Sequence, residues 1–189
     1  MTQWKYQYRA FAEQEPKEVR DSLAASGMPR RDQTETDTYV VGPSNVAARV
    51  RNGQIKFRGP SSSVDALVDE VQDDRYSFPV DSNVVNEAIG AKRDLVGRRL
   101  GSVDDLVRHA SRKKDVIVTD VRKKSAKYEQ SDLEVEVTEV GISGRNVHTV
   151  CVASNDVPKI HDALQRFGVL RWPGASQMEY AEAIRTYNS

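Results

Sequence analysis

Apolar and polar positions alternate with a period of two along most of the chain and shift to helical spacing only in short stretches, which predicts strands interrupted by brief helices. Trp4-Lys5-Tyr6-Gln7-Tyr8-Arg9-Ala10-Phe11 alternates aromatic and polar residues, the pattern of a half-buried strand paired within a sheet. Pro16 opens a stretch with Val19, Leu23 and Ala24 at helical spacing, and Gly27 is placed to end it as a left-handed cap. Three β-rich runs follow at 36–41, 46–51 and 54–58, separated by Gly42-Pro43-Ser44 and by Asn52-Gly53. Asn-Gly tolerates the positive φ angles of a type I′ turn, so the last two runs form a tight hairpin. Alternation then puts Arg49 and Arg51 on one face of its first strand and Lys56 and Arg58 on one face of its second, with Val50, Ile55 and Phe57 pointing the other way.

Between 60 and 100 the pattern predicts a helix or strand near 64–71 and a helix over about 83–89. Ser102-Val103-Asp104-Asp105 is a capping pattern for a helix ending near Arg112, with Val103, Leu106, Val107 and Ala110 on its buried stripe. Strands return at 116–122, 133–140 and 147–153, with turns at 125–131 and 141–144. Two helices close the chain, one capped by Asn155-Asp156 with Pro158 in its first turn and Gly168 at its end, the other capped by Ser176-Gln177-Met178-Glu179. Runs of strands with helices segregated from them predict an α+β protein on an antiparallel sheet, and seven or eight strands suffice for the sheet to curl into a barrel that removes its edges.

The chain has 189 residues, the size of one domain spanning 1–189, and that length buries a core without disulfide or metal support. Its one cysteine, Cys151, forms no intramolecular bridge and reads as a small core residue. No apolar run approaches the roughly 20 residues of a membrane span, and Met1-Thr2-Gln3-Trp4-Lys5-Tyr6 lacks the apolar centre of a signal peptide, so the expectation is a cytoplasmic protein with no membrane partner. With 28 Lys and Arg against 28 Asp and Glu, the formal net charge is +0, which argues against dedicated nucleic-acid binding. His109, His148 and His161 show no metal-ligand spacing, no glycine-rich phosphate loop occurs, and Tyr6 and Tyr8 read as strand-pair or core aromatics rather than a base-stacking platform.

What changes the picture is local charge. Arg49, Arg51, Lys56 and Arg58 share a hairpin face, and Arg122 and Lys124 share a face of the 116–122 strand and its continuation; Glu134 and Glu136 line one face of the next strand. Such cations form charge-assisted hydrogen bonds to polyanions, and Arg forks match phosphate geometry. Acidic residues beside them either pair internally or hold a divalent metal bridging to phosphate. The alternative is that these charges are simply the wet face of an antiparallel sheet.

The order of segments resembles the CYTH domain, the triphosphate tunnel superfamily that includes thiamine triphosphatase, class IV adenylyl cyclase and inorganic triphosphatases. Thr36-Asp37-Thr38-Tyr39 resembles its "tDtYfd" strand. Ala48-Arg49-Val50-Arg51 with Ile55-Lys56-Phe57-Arg58-Gly59-Pro60 is similar to its "lRiR … ltlKgp" hairpin. Val121-Arg122-Lys123-Lys124 with the stretch from Leu133 to Val140 looks like its "KrR … lelDev" pair, and Ser176-Gln177-Met178-Glu179-Tyr180 is similar to its closing "kSYlel" helix. The resemblance implies an eight-stranded antiparallel tunnel with flanking helices, whose interior cations grip a triphosphate and whose glutamates hold Mg²⁺ or Mn²⁺. It implies anion-binding roles for Arg9, Arg49, Arg51, Lys56, Arg58, Arg122 and Lys124, and metal roles for Glu134 and Glu136.

Two departures stand out. The family's ExExK signature on the first strand is replaced by Tyr6-Gln7-Tyr8-Arg9-Ala10, and the acidic pair of its late strand by His148-Thr149-Val150-Cys151-Val152. With most metal ligands missing and most cations kept, the expectation is a degenerate tunnel that binds triphosphate or another phosphate-rich anion, a phosphorylated small molecule or polyphosphate, with weakly bound Mg²⁺ or Mn²⁺ at most and little or no hydrolysis. The alternatives are a metal-dependent phosphohydrolase with an acidic site rearranged around Glu134, Glu136 and Glu139, and a non-catalytic interaction scaffold; a homo-oligomer is compatible with each.

Overall fold

The computed structural model describes residues 4–188, apart from the side chains of residues 72 and 73; Met1 to Gln3, part of the segment read for a leader, lie outside them. In chain order the elements are β1 (Tyr6–Ala12), α1 (Lys17–Ala25), β2 (Arg30–Val41), β3 (Ala47–Arg51), β4 (Gln54–Ser63), β5 (Asp69–Ser77), β6 (Val80–Asp81), α2 (Ser82–Ala88), β7 (Arg99–Leu100), α3 (Val103–Ala110), β8 (Ile117–Gln130), β9 (Leu133–Ile142), β10 (Arg145–Ser154), α4 (Val157–Arg166), β11 (Ser176–Gln177) and α5 (Tyr180–Tyr187). The long strands pair in the order β10-β9-β8-β2-β3-β4-β5-β1, and β1 pairs back onto β10. That last pairing closes an eight-stranded antiparallel barrel with five flanking helices, the expected α+β fold.

The chain forms two compact units, each assembled from three segments. The first comprises Met1–Glu35, Ser61–Val71 and Arg122–Met178. Tyr8 and Ala10 of β1, Val135 and Val137 of β9, and Val150 and Val152 of β10 present one apolar face, which α1 covers with Val19 and Leu23 and α4 with Ile160 and Leu164. Gly27, at φ +74°, ends the turn after α1 as expected. The second unit comprises Thr36–Pro60, Gln72–Val121 and Glu179–Ser189. Its core joins Val40, Val50, Ile55 and Phe57 to Val85 and Ile89 around α2 and to Leu106 of α3. Asn52 and Gly53 take φ of 49° and 72°, the geometry that the tight hairpin between β3 and β4 requires. At α3, Ser102 Oγ accepts from the Asp105 N–H at 3.2 Å, the expected cap.

Four expectations are corrected. Strand β2 starts at Arg30 and β8 continues to Gln130, so the turn expected over 125–131 shrinks to Ser131 and Asp132. These extensions are rich in polar residues: the β8 extension has Ala126 and Tyr128 on one face, and the β2 extension, Arg30 to Glu35, has no apolar residue to mark it. The segment near 64–71 is mostly a turn leading into β5. Ser176 and Gln177 form β11, paired with Phe11 and Ala10, rather than a cap on α5. At α4, Asp156 is the N-cap but its side chain makes no capping bond, while Asn155 Oδ1 accepts from the Lys5 N–H.

Candidate functional site

In the second unit, the β3–β4 register sets Arg49 opposite Lys56 and Ala47 opposite Arg58. Val50, Ile55 and Phe57 are 4%, 0% and 2% exposed in the helix-covered core. Burying that face forces Arg49, Arg51, Lys56 and Arg58 together onto the other one. Strand β2 lies alongside and places Tyr39 opposite Arg49. Tyr39 is buried and stacks on Tyr180 of α5, with ring centroids 5.3 Å apart and planes 22° from parallel. Arg51 binds Asp37 bidentately, Nε donating to Oδ1 at 2.5 Å and Nη2 to Oδ2 at 2.7 Å.

On this face the Asp37 carboxylate is engaged by Arg51. Burial pushes the Lys56 ammonium down to about 7, with Arg58, Arg49, Arg75 and Arg51 acting in the same direction. Burial likewise lowers Arg49, whose Nε is buried without a hydrogen-bond partner. Among the described residues neither Arg49 nor Arg58 has a carboxylate within ion-pair distance, since the nearby Asp37 is committed to Arg51. Such an arrangement favours any ligand that brings negative charge. Sequence reasoning missed Arg75, Asp37 and Tyr39 as members of this face; the alternation of Asp37, Tyr39 and Val41 against Thr38 and Val40 was the available signal.

The first unit carries a polar face of different character, opposite its apolar one. Register aligns Arg9 with Cys151 and Cys151 with Glu136. Arg9 and Lys123 are both 5% exposed on this face, together with Ser125 and Thr138. Lys127 Nζ lies 3.2 Å from Glu136 Oε2 and 3.8 Å from Glu134 Oε1. The hydroxyls of Ser125 and Thr138 donate to Glu136 Oε1 at 3.0 and 2.8 Å. Burial alone would raise the Glu136 carboxyl, but Lys127, Arg9, the Thr138 hydrogen bond and Lys123 outweigh it and hold it down at about 2. The carboxylate therefore stays ionised inside a cage of cations and hydroxyls.

That donor set does not fit a divalent metal. Mg²⁺ or Mn²⁺ needs converging oxygen ligands, whereas here an ammonium sits between the two glutamates and hydroxyl donors occupy the inner oxygen. Among the described residues, no three His, Cys, Asp or Glu side chains form a group able to hold a metal. Glu139 lies apart, 3.9 Å from Lys124.

Arg122 and Lys124 are exposed, and the residues of β8 on the face shared with Glu136 are Lys123, Ser125 and Lys127. The sequence expectation had grouped Arg122 and Lys124 with an interior face; the structure puts them one residue out of phase with it. The signal lay further along, where Ala126 and Tyr128 have the parity of Arg122 and Lys124 and belong to the helix-covered side. The seven expected anion-binding residues thus divide into Arg49, Arg51, Lys56 and Arg58 on one face of the second unit, Arg9 on the polar face of the first, and Arg122 and Lys124 on an outer surface.

No protein-family model and no curated protein matches the chain. Solved structures do. A protein of Pyrococcus horikoshii OT3 aligns at TM-score 0.54 and 15% identity, over 94% of this chain and 99% of its own. A conserved hypothetical protein of Pyrococcus furiosus aligns at TM-score 0.53 and 14% identity, over 93% and 98%. A putative adenylyl cyclase from Hippeastrum, described as having a dominant triphosphatase activity, aligns at TM-score 0.52 and 12% identity, over 96% and 95%. Identities this low speak to fold alone, and that fold is the eight-stranded antiparallel barrel with flanking helices expected from the sequence.

Proposed function

We propose that this protein is a degenerate triphosphate-tunnel protein that binds a triphosphate or other phosphate-rich anion on the basic face of the β3–β4 hairpin, without a metal and with little or no hydrolysis. The observation that carries the reading is the row of Arg49 and Lys56 with Arg58 beside it, where burial, and after it the repulsion of the neighbouring arginines, holds the Lys56 ammonium down at about 7. An incoming phosphate relieves that repulsion, accepts forked hydrogen bonds from Arg49 and Arg58, and draws a proton onto Lys56. Arg51 is held by Asp37 and acts chiefly to orient the face. The likeness to the Hippeastrum protein is consistent with a phosphorylated ligand. The caged Glu136, with Lys127 set between it and Glu134, favours binding over metal-dependent turnover.

The test is calorimetric titration with inorganic triphosphate and with ATP, in EDTA and in Mg²⁺ or Mn²⁺, with released phosphate assayed in parallel. Binding in EDTA that is lost in Arg49→Ala and Arg58→Ala, without turnover, is the expected result. Metal-dependent turnover requiring Glu136 would overturn it in favour of an enzyme, and no binding of either anion would leave an interaction scaffold.

A further inference from the structure

In the second unit, segments 92–99 and 108–114 hold eight of the chain's 28 lysines and arginines and one carboxylate, Asp94. In a chain of zero net charge, this is a strong local excess. The Asp94 carboxylate is turned inward, accepting from Ser82 Oγ at 2.8 Å and from Lys113 Nζ at 3.2 Å. Its backbone N–H donates to Asn83 Oδ1 at 2.8 Å. Lys113 Nζ also donates to the Lys92 carbonyl at 2.7 Å, tying the two segments together.

The same loop is pinned from its other end. The Ser82 N–H donates to the Arg98 carbonyl at 2.8 Å, and the Arg98 N–H to Ser82 Oγ at 3.0 Å. Gly97 passes so close to Asp81 that a Cβ there would meet both carboxylate oxygens at 2.6 Å.

With its acid withdrawn and its backbone fixed, the loop presents Leu95 and Val96 outward at 105% and 79% exposure, the highest among the large hydrophobic residues described. Lys92 and Arg93 precede them, and Arg98 and Arg99 follow. Beside them lies a cavity of about 530 Å³ lined by Leu95, Val96, Arg98, Arg112 and Lys113 together with Asp94 and His109. His109 is only 9% exposed, and its Nε2 makes no hydrogen bond although Asp94 Oδ2 is 3.4 Å away. Arg98 and Arg112 have no carboxylate within ion-pair distance among the described residues; Arg93 and Arg108 have only exposed ones, 3.8 and 3.6 Å away in Glu87 and Asp105.

We propose that this loop and cavity dock the protein onto an anionic lipid bilayer, with Leu95 and Val96 entering the acyl boundary while Arg98 and Arg112 take headgroup phosphates. Fully protruding aliphatic tips need no matching pocket in a fluid apolar layer, and a surrounding ring of cations matches its charged surface. A nucleic-acid surface supplies the phosphates but offers no aliphatic partner, and Leu and Val do not stack on bases as aromatic residues do. The contact is peripheral, since no described helix is long and apolar enough to cross a membrane. It uses no residue of the hairpin face, so either proposal stands if the other fails.

The test is co-flotation of the full chain with vesicles of phosphatidylcholine alone and of phosphatidylcholine mixed with phosphatidylserine. Wild-type protein is expected on the mixed vesicles and not on the neutral ones. Leu95→Ser with Val96→Ser, and separately Arg98→Gln with Arg112→Gln, should each weaken binding at least about tenfold while thermal melting stays unchanged. Mixed-vesicle binding untouched by the Leu95 and Val96 changes would overturn the insertion. So would absence from both vesicles, whether or not a poly-glutamate peptide or duplex RNA is bound instead.

Discussion

Arg51 holds Asp37 by two parallel hydrogen bonds, 2.5 and 2.7 Å long, while the Asp37 side chain is wholly buried and that of Arg51 is 22% exposed. The pair joins β2 to β3 on the face that bears the cation cluster. It withdraws one arginine and one carboxylate from the cluster's balance and leaves Arg49 and Arg58 without a carboxylate within ion-pair distance among the described residues.

Removing one member of such a pair strands a buried charge. Arg51→Ala should therefore lower unfolding free energy by about 3 kcal/mol, whereas the double change Arg51→Met with Asp37→Leu should recover much of the loss. Urea denaturation of the three proteins checks this; a single variant as stable as wild type would show that the pair is dispensable.

Lys56 couples ligand binding to protons. Its folded pKa is lowered from 10.5 to about 7, so between these values the unfolded chain holds more protons than the folded one, and stability rises with pH across that window. Lys56→Met should accordingly stabilise the protein most at or below pH 7, with the gain fading toward pH 10.5. An anion raises the Lys56 pKa again, so triphosphate binding should take up about half a proton near pH 7, approaching one about a unit higher, and should tighten as the pH falls. Calorimetry in buffers of different ionisation enthalpy reads that uptake directly, and Lys56→Met should abolish it.

Glu136 behaves oppositely. Its folded pKa is depressed from 4.5 to about 2, so its contribution is complete above pH 4.5 and is lost as the pH falls toward 2. Glu136→Gln should flatten the acid limb of the stability profile over that range. Lys127→Ala should weaken folding and leave the two glutamates open to a cation, so that Mn²⁺ binding, followed by paramagnetic resonance, should be stronger than in wild type. Equal Mn²⁺ affinity in both proteins would show that Lys127 does not bar the metal.

Gly42 sits against the end of α2, where an added Cβ would lie 2.4 Å from the Ile89 carbonyl oxygen, which itself accepts from the Ser44 N–H at 3.0 Å. Across the same turn, Arg185 Nη1 donates to the carbonyls of Gly42 and Ser44 at 2.9 and 2.7 Å. Gly42→Ala must displace backbone on one side or the other and should cost about 2 kcal/mol, readable as a lower melting temperature. An unchanged melting temperature would mean that the turn yields freely.

Periodicity and turn chemistry determined the β3–β4 hairpin, β9, β10 and the helices, because the alternation of apolar residues and the Asn52-Gly53 pair are local properties of the chain. They also determined the Arg49, Arg51, Lys56 and Arg58 face, since Val50, Ile55 and Phe57 leave a strand pair just one way to bury itself. Only the tertiary structure decided which parity of β8 is turned toward Glu136. There both parities carry cations, and the choice falls to Ala126 and Tyr128 packing under distant helices. Likewise, the sequence alone left Glu134 and Glu136 open to a metal, and the structure set Lys127 between them. That placement depends on pairing two strands in register, a non-local relation that no window of sequence contains.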